Sequence, residues 1–289
     1  MKKFIVACFM SIYMLFPIRG AEAGSGGNDG AGQRGVTLSL GYEGNYFSYK
    51  EIINGAVLDQ DTGWMNGLLF EARYDNEEMF ARGSVDFSGS RDATYKGALQ
   101  NGTPITMKTG EFFYQFEGSV GYKVLNFTNS TLTPYVALGF RYWERGEDDP
   151  PDYLETYTWG YGALGANIAY RYGKGLIGLD TSIQFPIEPQ MRTDTGGLFD
   201  NATFRLKSKP GYHIEVPMTY EINEVKRGEM SLFARPYYQR WNFGASNPVL
   251  ITQNGSPVYD PSTGQVLYAI EPDSHTDIFG IRFGVSVNF

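Results

Sequence analysis

Residues 277–289 constrain this chain more than any other stretch. Phe279, Ile281, Phe283, Val285, Val287 and Phe289 form one unbroken apolar file, and Gly280, Arg282, Gly284, Ser286 and Asn288 form a small and polar one. A period of two is the signature of a strand, and over this length it demands apolar surroundings on one side and a polar space on the other. The pattern recurs at 36–42, 64–74, 79–89, 111–124, 133–145, 157–172, 177–185, 212–222 and 230–243. These segments with the terminal one make about ten strands; a missed or false hairpin would make it eight or twelve. An even count keeps both ends of the chain on one side of a membrane.

The expected fold is all-β, a closed antiparallel transmembrane β-barrel. After Ala23 no stretch approaches the roughly 18 consecutive apolar residues of a membrane helix. Aromatics make up 16% of the chain and glycines number 36, a composition that suits strands and an aromatic girdle. With alternating aromatics running to a terminal Phe289, the last segment resembles the ends of small Gram-negative outer-membrane β-barrel proteins. The resemblance implies location in the bacterial outer membrane, contact with outer-membrane lipid and lipopolysaccharide, and Phe289 as an assembly signal read by the barrel assembly machinery.

The N-terminus is consistent with export. Lys2 and Lys3 precede an apolar run from Phe4 to Pro17, and Ala21-Glu22-Ala23 supplies a cleavage site, so residues 1–23 read as a signal peptide. Residues 24–35 are Gly-rich and read as a flexible periplasmic lead-in, and 36–289 as one barrel domain. Cys8 is the only cysteine, so the mature chain has no disulfide or thiolate metal site. Formal charge is −8, and removing Lys2, Lys3 and Arg19 with Glu22 leaves the mature chain near −10. That argues against a nucleic-acid partner.

Alternation assigns faces as well as strands. Leu68, Phe70, Phe112, Phe116, Val120, Val136 and Leu138 should meet lipid. The opposite file carries Glu43, Glu71, Arg73, Arg82, Asp86, Glu117, Lys123, Arg141, Asp180, Glu215, Glu221, Arg235 and Arg282, expected as lumen charges that pair across the interior. Bulky Phe113, Tyr135, Phe233 and Tyr237 share that file. Asp75-Asn76-Glu77-Glu78, Gly173-Lys174-Gly175 and 223–228 read as short periplasmic turns. The intervals 51–61, 90–108, 146–154, 188–209 and 244–274 read as outer loops, and Pro236 implies a bulge or weak pairing.

Few residues suggest chemistry. Asp273-Ser274-His275 near the outer rim resembles the acid-x-His dyad of omptin proteases, themselves ten-stranded outer-membrane barrels, and such a pair can orient an imidazole to activate water. No matching paired aspartates are visible in the sequence on strands facing it. Lipid A deacylases use a His and a Ser of the barrel wall, but Ser274 and His275 are adjacent in a strand and point to opposite faces. His213 is expected in the lumen beside Glu215, more a structural hydrogen-bonding group than a gate. Two histidines without cysteines build no metal site, and no cofactor is implied. Gly160-Tyr161-Gly162-Ala163-Leu164-Gly165 matches a dinucleotide fingerprint by letters but continues as a strand, so its glycines should make room for aromatics on neighbouring strands. Glu144, Glu147, Asp148, Asp149, Asp152 and Glu155 read as a solvated acidic loop rather than a calcium site. Arg192, Arg205, Lys207 and Lys209 are placed to contact lipid phosphate.

The function expected is a structural or surface-interaction role, with at most a narrow solute path. The alternative is an outer-membrane hydrolase, a protease or lipid A-modifying enzyme, using a rim histidine.

Overall fold

The computed structural model describes residues 35–98, 102–146, 153–225 and 228–289. Residues 1–34, expected as a signal peptide and most of a lead-in, lie outside these residues, as do Glu147, Asp148, Asp149 and Asp152.

Ten strands close on themselves. They are β1 (Gly35–Ile53), β2 (Ala56–Asp75), β3 (Met79–Ala98), β4 (Pro104–Tyr122), β5 (Ser130–Arg145), β6 (Leu154–Tyr172), β7 (Gly175–Asp194), β8 (Lys207–Glu215, resuming as Met218–Val225), β9 (Gly228–Gly244) and β10 (Asp273–Asn288). Each pairs antiparallel with its neighbours in sequence, and β10 pairs with β1 from Thr37↔Asn288 to Ile52↔Asp273, which seals the seam. The barrel therefore has no free edge. Phe289 extends the seam by one step, its backbone N–H donating to the Val36 carbonyl at 2.9 Å.

The faces alternate as a membrane barrel requires. Leu68, Phe70, Phe116, Val120, Val136, Leu138, Ile281 and Phe283 are all exposed, and together with their neighbours they make an apolar belt around the barrel. Lipid is the solvent such a belt is built for, because a soluble protein rarely exposes contiguous apolar area beyond a few hundred Å². Tyr46, Trp64, Phe112 and Phe279 mark its upper edge, with Tyr46 and Trp64 meeting edge to face at 5.5 Å. Above them the outward file turns polar, with Ser48 and Lys50 on β1, Gln60 on β2, Arg192 on β7 and Asn242 on β9.

The strands do not stop at that edge. β1 continues seven residues beyond Tyr46, to Ile53, which at about 3.3 Å per residue is roughly 20 Å of strand. Residues 51–61 are thus not a loop but two strand ends joined by Asn54-Gly55, whose φ values of 52° and 81° suit a tight hairpin turn. The interval 90–108 is likewise mostly strand, paired through Ala98↔Pro104. Of 188–209, β7 takes the part up to Asp194, and the ribbon Ala202–Arg205 pairs with Gln190–Thr193. Within 244–274, Asn254-Gly255 forms another tight turn between Thr252–Gln253 and Ser256–Pro257. Alternation marks a strand only when its two faces meet different solvents. In this crown polar residues such as Ser48, Lys50 and Gln60 face outward while Glu51, Asp59 and Asp61 face inward, so the amphipathic signal fades while the ladder continues.

Pro236 pairs with Ile281 on one side and faces the break in β8 at Val216-Pro217 on the other. Register is unchanged across the break, Glu215↔Tyr237 before it and Met218↔Ala234 after it, so the prolines weaken pairing without a bulge.

Candidate functional site

The lumen is the obvious place for a site, and it is filled in layers. At the end where β1 begins and β10 finishes is a cavity of about 190 Å³. Arg73 pairs with Asp75 at 2.5 Å, Lys123 lies 3.7 Å from the same carboxylate, and Arg171 pairs with Glu221. Arg73, Asp75, Lys123 and Arg171 line the mouth at that end, expected to face the periplasm.

The next layer is an ion-pair network. Arg282 reaches Glu43 at 2.8 Å, Glu215 at 3.3 Å and Asp86 at 3.6 Å, and the Tyr237 hydroxyl donates to Glu43 at 2.6 Å. Arg235 holds both oxygens of Glu71, at 2.9 and 3.0 Å. Arg82 pairs with Glu117 at 3.0 Å and approaches Asp180, which accepts from the Tyr135 hydroxyl at 2.5 Å. Paired in this way the charges avoid the several kcal/mol that isolated burial would cost each. His213 sits in this layer, its ring stacked 6.0 Å from Tyr237. Around it is a second cavity, of about 40 Å³.

Glycines admit the large rings. A Cβ at Gly139 would fall inside the Tyr161 ring, one at Gly165 inside the Tyr135 ring, and one at Gly280 only 2.6 Å from Tyr237. The glycine run 160–165 is a strand, β6, with Tyr161 fully buried in the lumen. It holds no nucleotide-binding turn.

Above the network lies an aromatic slab. Phe47, Phe113, Trp143, Trp159, Trp241 and Phe243 are all buried, contributed by five different strands. Phe113 stacks on Trp143 at 5.3 Å, Trp143 on Tyr157 at 4.4 Å, and Trp159 meets Trp241 and Phe243 edge to face at 5.3 and 5.0 Å. Arg141 lies among them, 4.6 Å from the Phe113 ring centre, donating to Gln115 and Gln239 at 2.7 Å each. Its charge is held by rings and neutral amides rather than by a carboxylate.

The crown closes over the slab with a carboxylate cluster around one cation. Arg145 contacts Glu155 at 2.7 Å, Glu51 at 3.2 Å and Asp59 at 3.7 Å, and also hydrogen-bonds Asp61. Glu271, from the segment leading into β10, accepts from the Tyr157 hydroxyl at 2.8 Å and the Tyr49 hydroxyl at 3.2 Å. Burial first, then the neighbouring carboxylates, pushes Glu271 up to about 8 and Glu51 well above the ordinary range. Asp59 is pushed up to about 6 by burial, against the pull of Arg145. These protons do in part what further cations would otherwise do.

The enzyme candidates are scattered. His275 is on the outward face of β10, 3.6 Å from Asp277, and not with Asp273. Asp273 is taken by Lys209 at 3.2 Å and by the Ala245 N–H at 2.6 Å. Paired aspartates do exist on the lumen side, Asp59 and Asp61, but they surround Arg145, and the wall separates them from His275. His213 is layers below. Ser274 is buried on the lumen side while His275 is not, so they do not form a pair. Glu144 accepts from Tyr142 on the outward face, whereas Glu155 belongs to the Arg145 cluster, so the two described members of the acidic stretch lie on opposite sides of the wall. Among the described residues no group of three potential ligands is arranged to hold a metal ion.

No protein-family model and no curated protein sequence matches the chain. Among solved structures it is similar to the outer membrane protease OmpT from Escherichia coli, at 10% identity and a TM-score of 0.58, covering 89% of this chain and 97% of that one. It also aligns with the translocator domain of the autotransporter NalP from Neisseria meningitidis, at 8% identity and a TM-score of 0.40, over 88% of each chain. A FadL homologue from Pseudomonas aeruginosa aligns at 9% identity and a TM-score of 0.33, over 88% and 90%. The fold is that of a bacterial outer-membrane β-barrel. At these identities the likeness concerns fold alone.

Proposed function

We propose that this is a closed outer-membrane barrel with a structural or surface-interaction role, whose working surface is the extracellular crown and not the lumen. The observation that carries the reading is the aromatic slab: rings from β1, β4, β5, β6 and β9 interlock across the interior. Ten strands enclose little more than side chains can fill, and here the side chains are packed ring on ring. The crown above it, built from the extended strand ends and the two small ribbons of residues 249–269, is what a partner outside the cell meets.

The hydrolase reading lacks a base facing a nucleophile or an activated water, since His275 is outside the wall and the buried carboxylates are engaged with Arg145, Tyr49 and Tyr157. Swelling assays on liposomes containing the purified chain test the proposal. Exclusion of small sugars and no turnover of peptides or lipid A are expected. Sugar entry, or turnover abolished by replacing His275 and His213 with Ala, would overturn it.

A further inference from the structure

At crown height the two faces of the barrel wall carry opposite charge. The lumen face gathers Glu51, Asp59, Asp61 and Glu155 around the single Arg145. The outward face of β7, the ribbon 202–205 and β8 carries Arg192, Arg205, Lys207 and Lys209, all exposed. Arg205, Lys207 and Lys209 follow one another at every second residue on one face, and Arg192 pairs with Thr203 on the strand beside them. Gly244 makes the crowding feasible: a Cβ there would stand 2.9 Å from the Lys207 Cβ and 3.1 Å from the Lys209 Cε.

Lys209 has Asp273 at 3.2 Å. Among the described residues, Arg192, Arg205 and Lys207 have no carboxylate within ion-pair distance. Like charges set side by side on a sheet are mutually destabilising, so in a chain of net charge −8 this grouping calls for an anion from outside. Its height names the kind. Directly below, the same strands present Phe185, Ile187, Tyr212 and Ile214 to lipid. Between the cations stand the neutral polar side chains of Gln190 and Thr203. A column that is apolar below and both cationic and hydrogen-bonding above matches acyl chains topped by a phosphate on a sugar.

We propose that Arg192, Arg205 and Lys207 form a clamp for the phosphate of a phosphorylated glycolipid of the outer leaflet, lipid A of lipopolysaccharide. The proposal rests on the outer-membrane reading of the barrel and deepens its surface role. The glycolipid's acyl chains lie along β7 and β8, its phosphate meets the two guanidinium groups and the Lys207 ammonium, and the clamp holds the crown upright at the leaflet surface.

The test uses full-length chain purified from outer membranes, wild type beside the triple variant Arg192→Gln, Arg205→Gln, Lys207→Gln. Retained glycolipid is measured by mass spectrometry on barrels that show the heat-modifiable mobility of the folded state. Wild type should retain glycolipid, and the triple variant should bind roughly 100-fold more weakly. The charge-keeping variant Arg192→Lys, Arg205→Lys should retain most of it. In detergent, lipid A should raise the melting temperature of wild type, while its phosphate-free form, phosphatidylglycerol and inorganic phosphate should not. Equal retention by folded wild type and triple variant would overturn the clamp, as would equal stabilisation by phosphate-free lipid A or by phosphatidylglycerol. A triple variant that does not fold is replaced by Lys207→Gln alone, for which undiminished retention would count against the proposal. Failure of the outer-membrane reading would look different: wild-type chain missing from the outer-membrane fraction.

Discussion

Replacing Arg145 by Met should destabilise the crown in a way that depends steeply on pH. Arg145 is the cation shared by Glu51, Asp59, Asp61 and Glu155, all of them buried. Removing one partner of a buried ion pair costs about 3–5 kcal/mol, because the other charge is left without compensation. That figure applies where the carboxylates are ionised. In the folded protein Asp59 is raised to about 6 and Glu271 to about 8, so at pH 5 both are largely protonated. A carboxyl group raised above its unfolded value contributes stability that is present below that unfolded value and lost as pH climbs through the folded one. Without Arg145 the loss should steepen, with a smaller cost at pH 5, where Glu51 and Asp59 hold protons, and the full cost at pH 8. Since about 1 kcal/mol moves the melting temperature of a domain this size by roughly 2–4 °C, the variant should melt about 10 °C below wild type at pH 8 and by clearly less at pH 5. Tryptophan fluorescence, dominated by the slab beneath, follows the transition. An equal drop at both pH values would mean that Arg145 does not act by offsetting the ionised carboxylates.

Three other outcomes follow from the geometry. Val120→Arg, on the lipid face, should cost about 2–4 kcal/mol in folding, whereas Thr131→Arg, lining the periplasmic cavity, should fold nearly as well as wild type in urea titrations of refolded barrel. Gly139→Val should cost about 1–3 kcal/mol through overpacking, because Tyr161 occupies the space a side chain would need, and the same titration reads it. Deleting Phe289 removes the last backbone pair of the seam, to Val36, and should lower the yield of heat-modifiable barrel in outer membranes; unchanged yield would contradict its role in assembly.

The barrel was legible because lipid and lumen impose opposite demands on alternate residues, as along β4, where exposed Phe112, Phe116 and Val120 interleave with buried Glu111, Gln115 and Ser119. Strand number followed from that contrast. Strand length did not, because above Tyr46 the outward Ser48 and Lys50 no longer contrast with inward Tyr49 and Glu51. The Asn54-Gly55 and Asn254-Gly255 pairs, with their left-handed φ values, were the signals that could have turned two presumed loops into hairpins. Aromatics on the inward file at Tyr49, Trp143, Tyr157, Trp159 and Trp241 were likewise visible in the letters. That they meet across the lumen depends on strand tilt and stagger, which a single sequence does not display. The same is true of Arg145: only closure brings β1 and β2 opposite β5 and β6. The dyad at Asp273 and His275 misleads for a related reason, since alternation does place both on one face, and it is the lipid-side face.

A lumen shut by the slab and the ion-pair network beneath it should be silent in single-channel recording in planar bilayers. Unmodified chain should give no stable steps, and Arg141→Ala with Trp241→Ala, which removes the cation and one ring from the slab, should introduce them. Large, stable, porin-like steps from the unmodified chain would mean that the lumen is open.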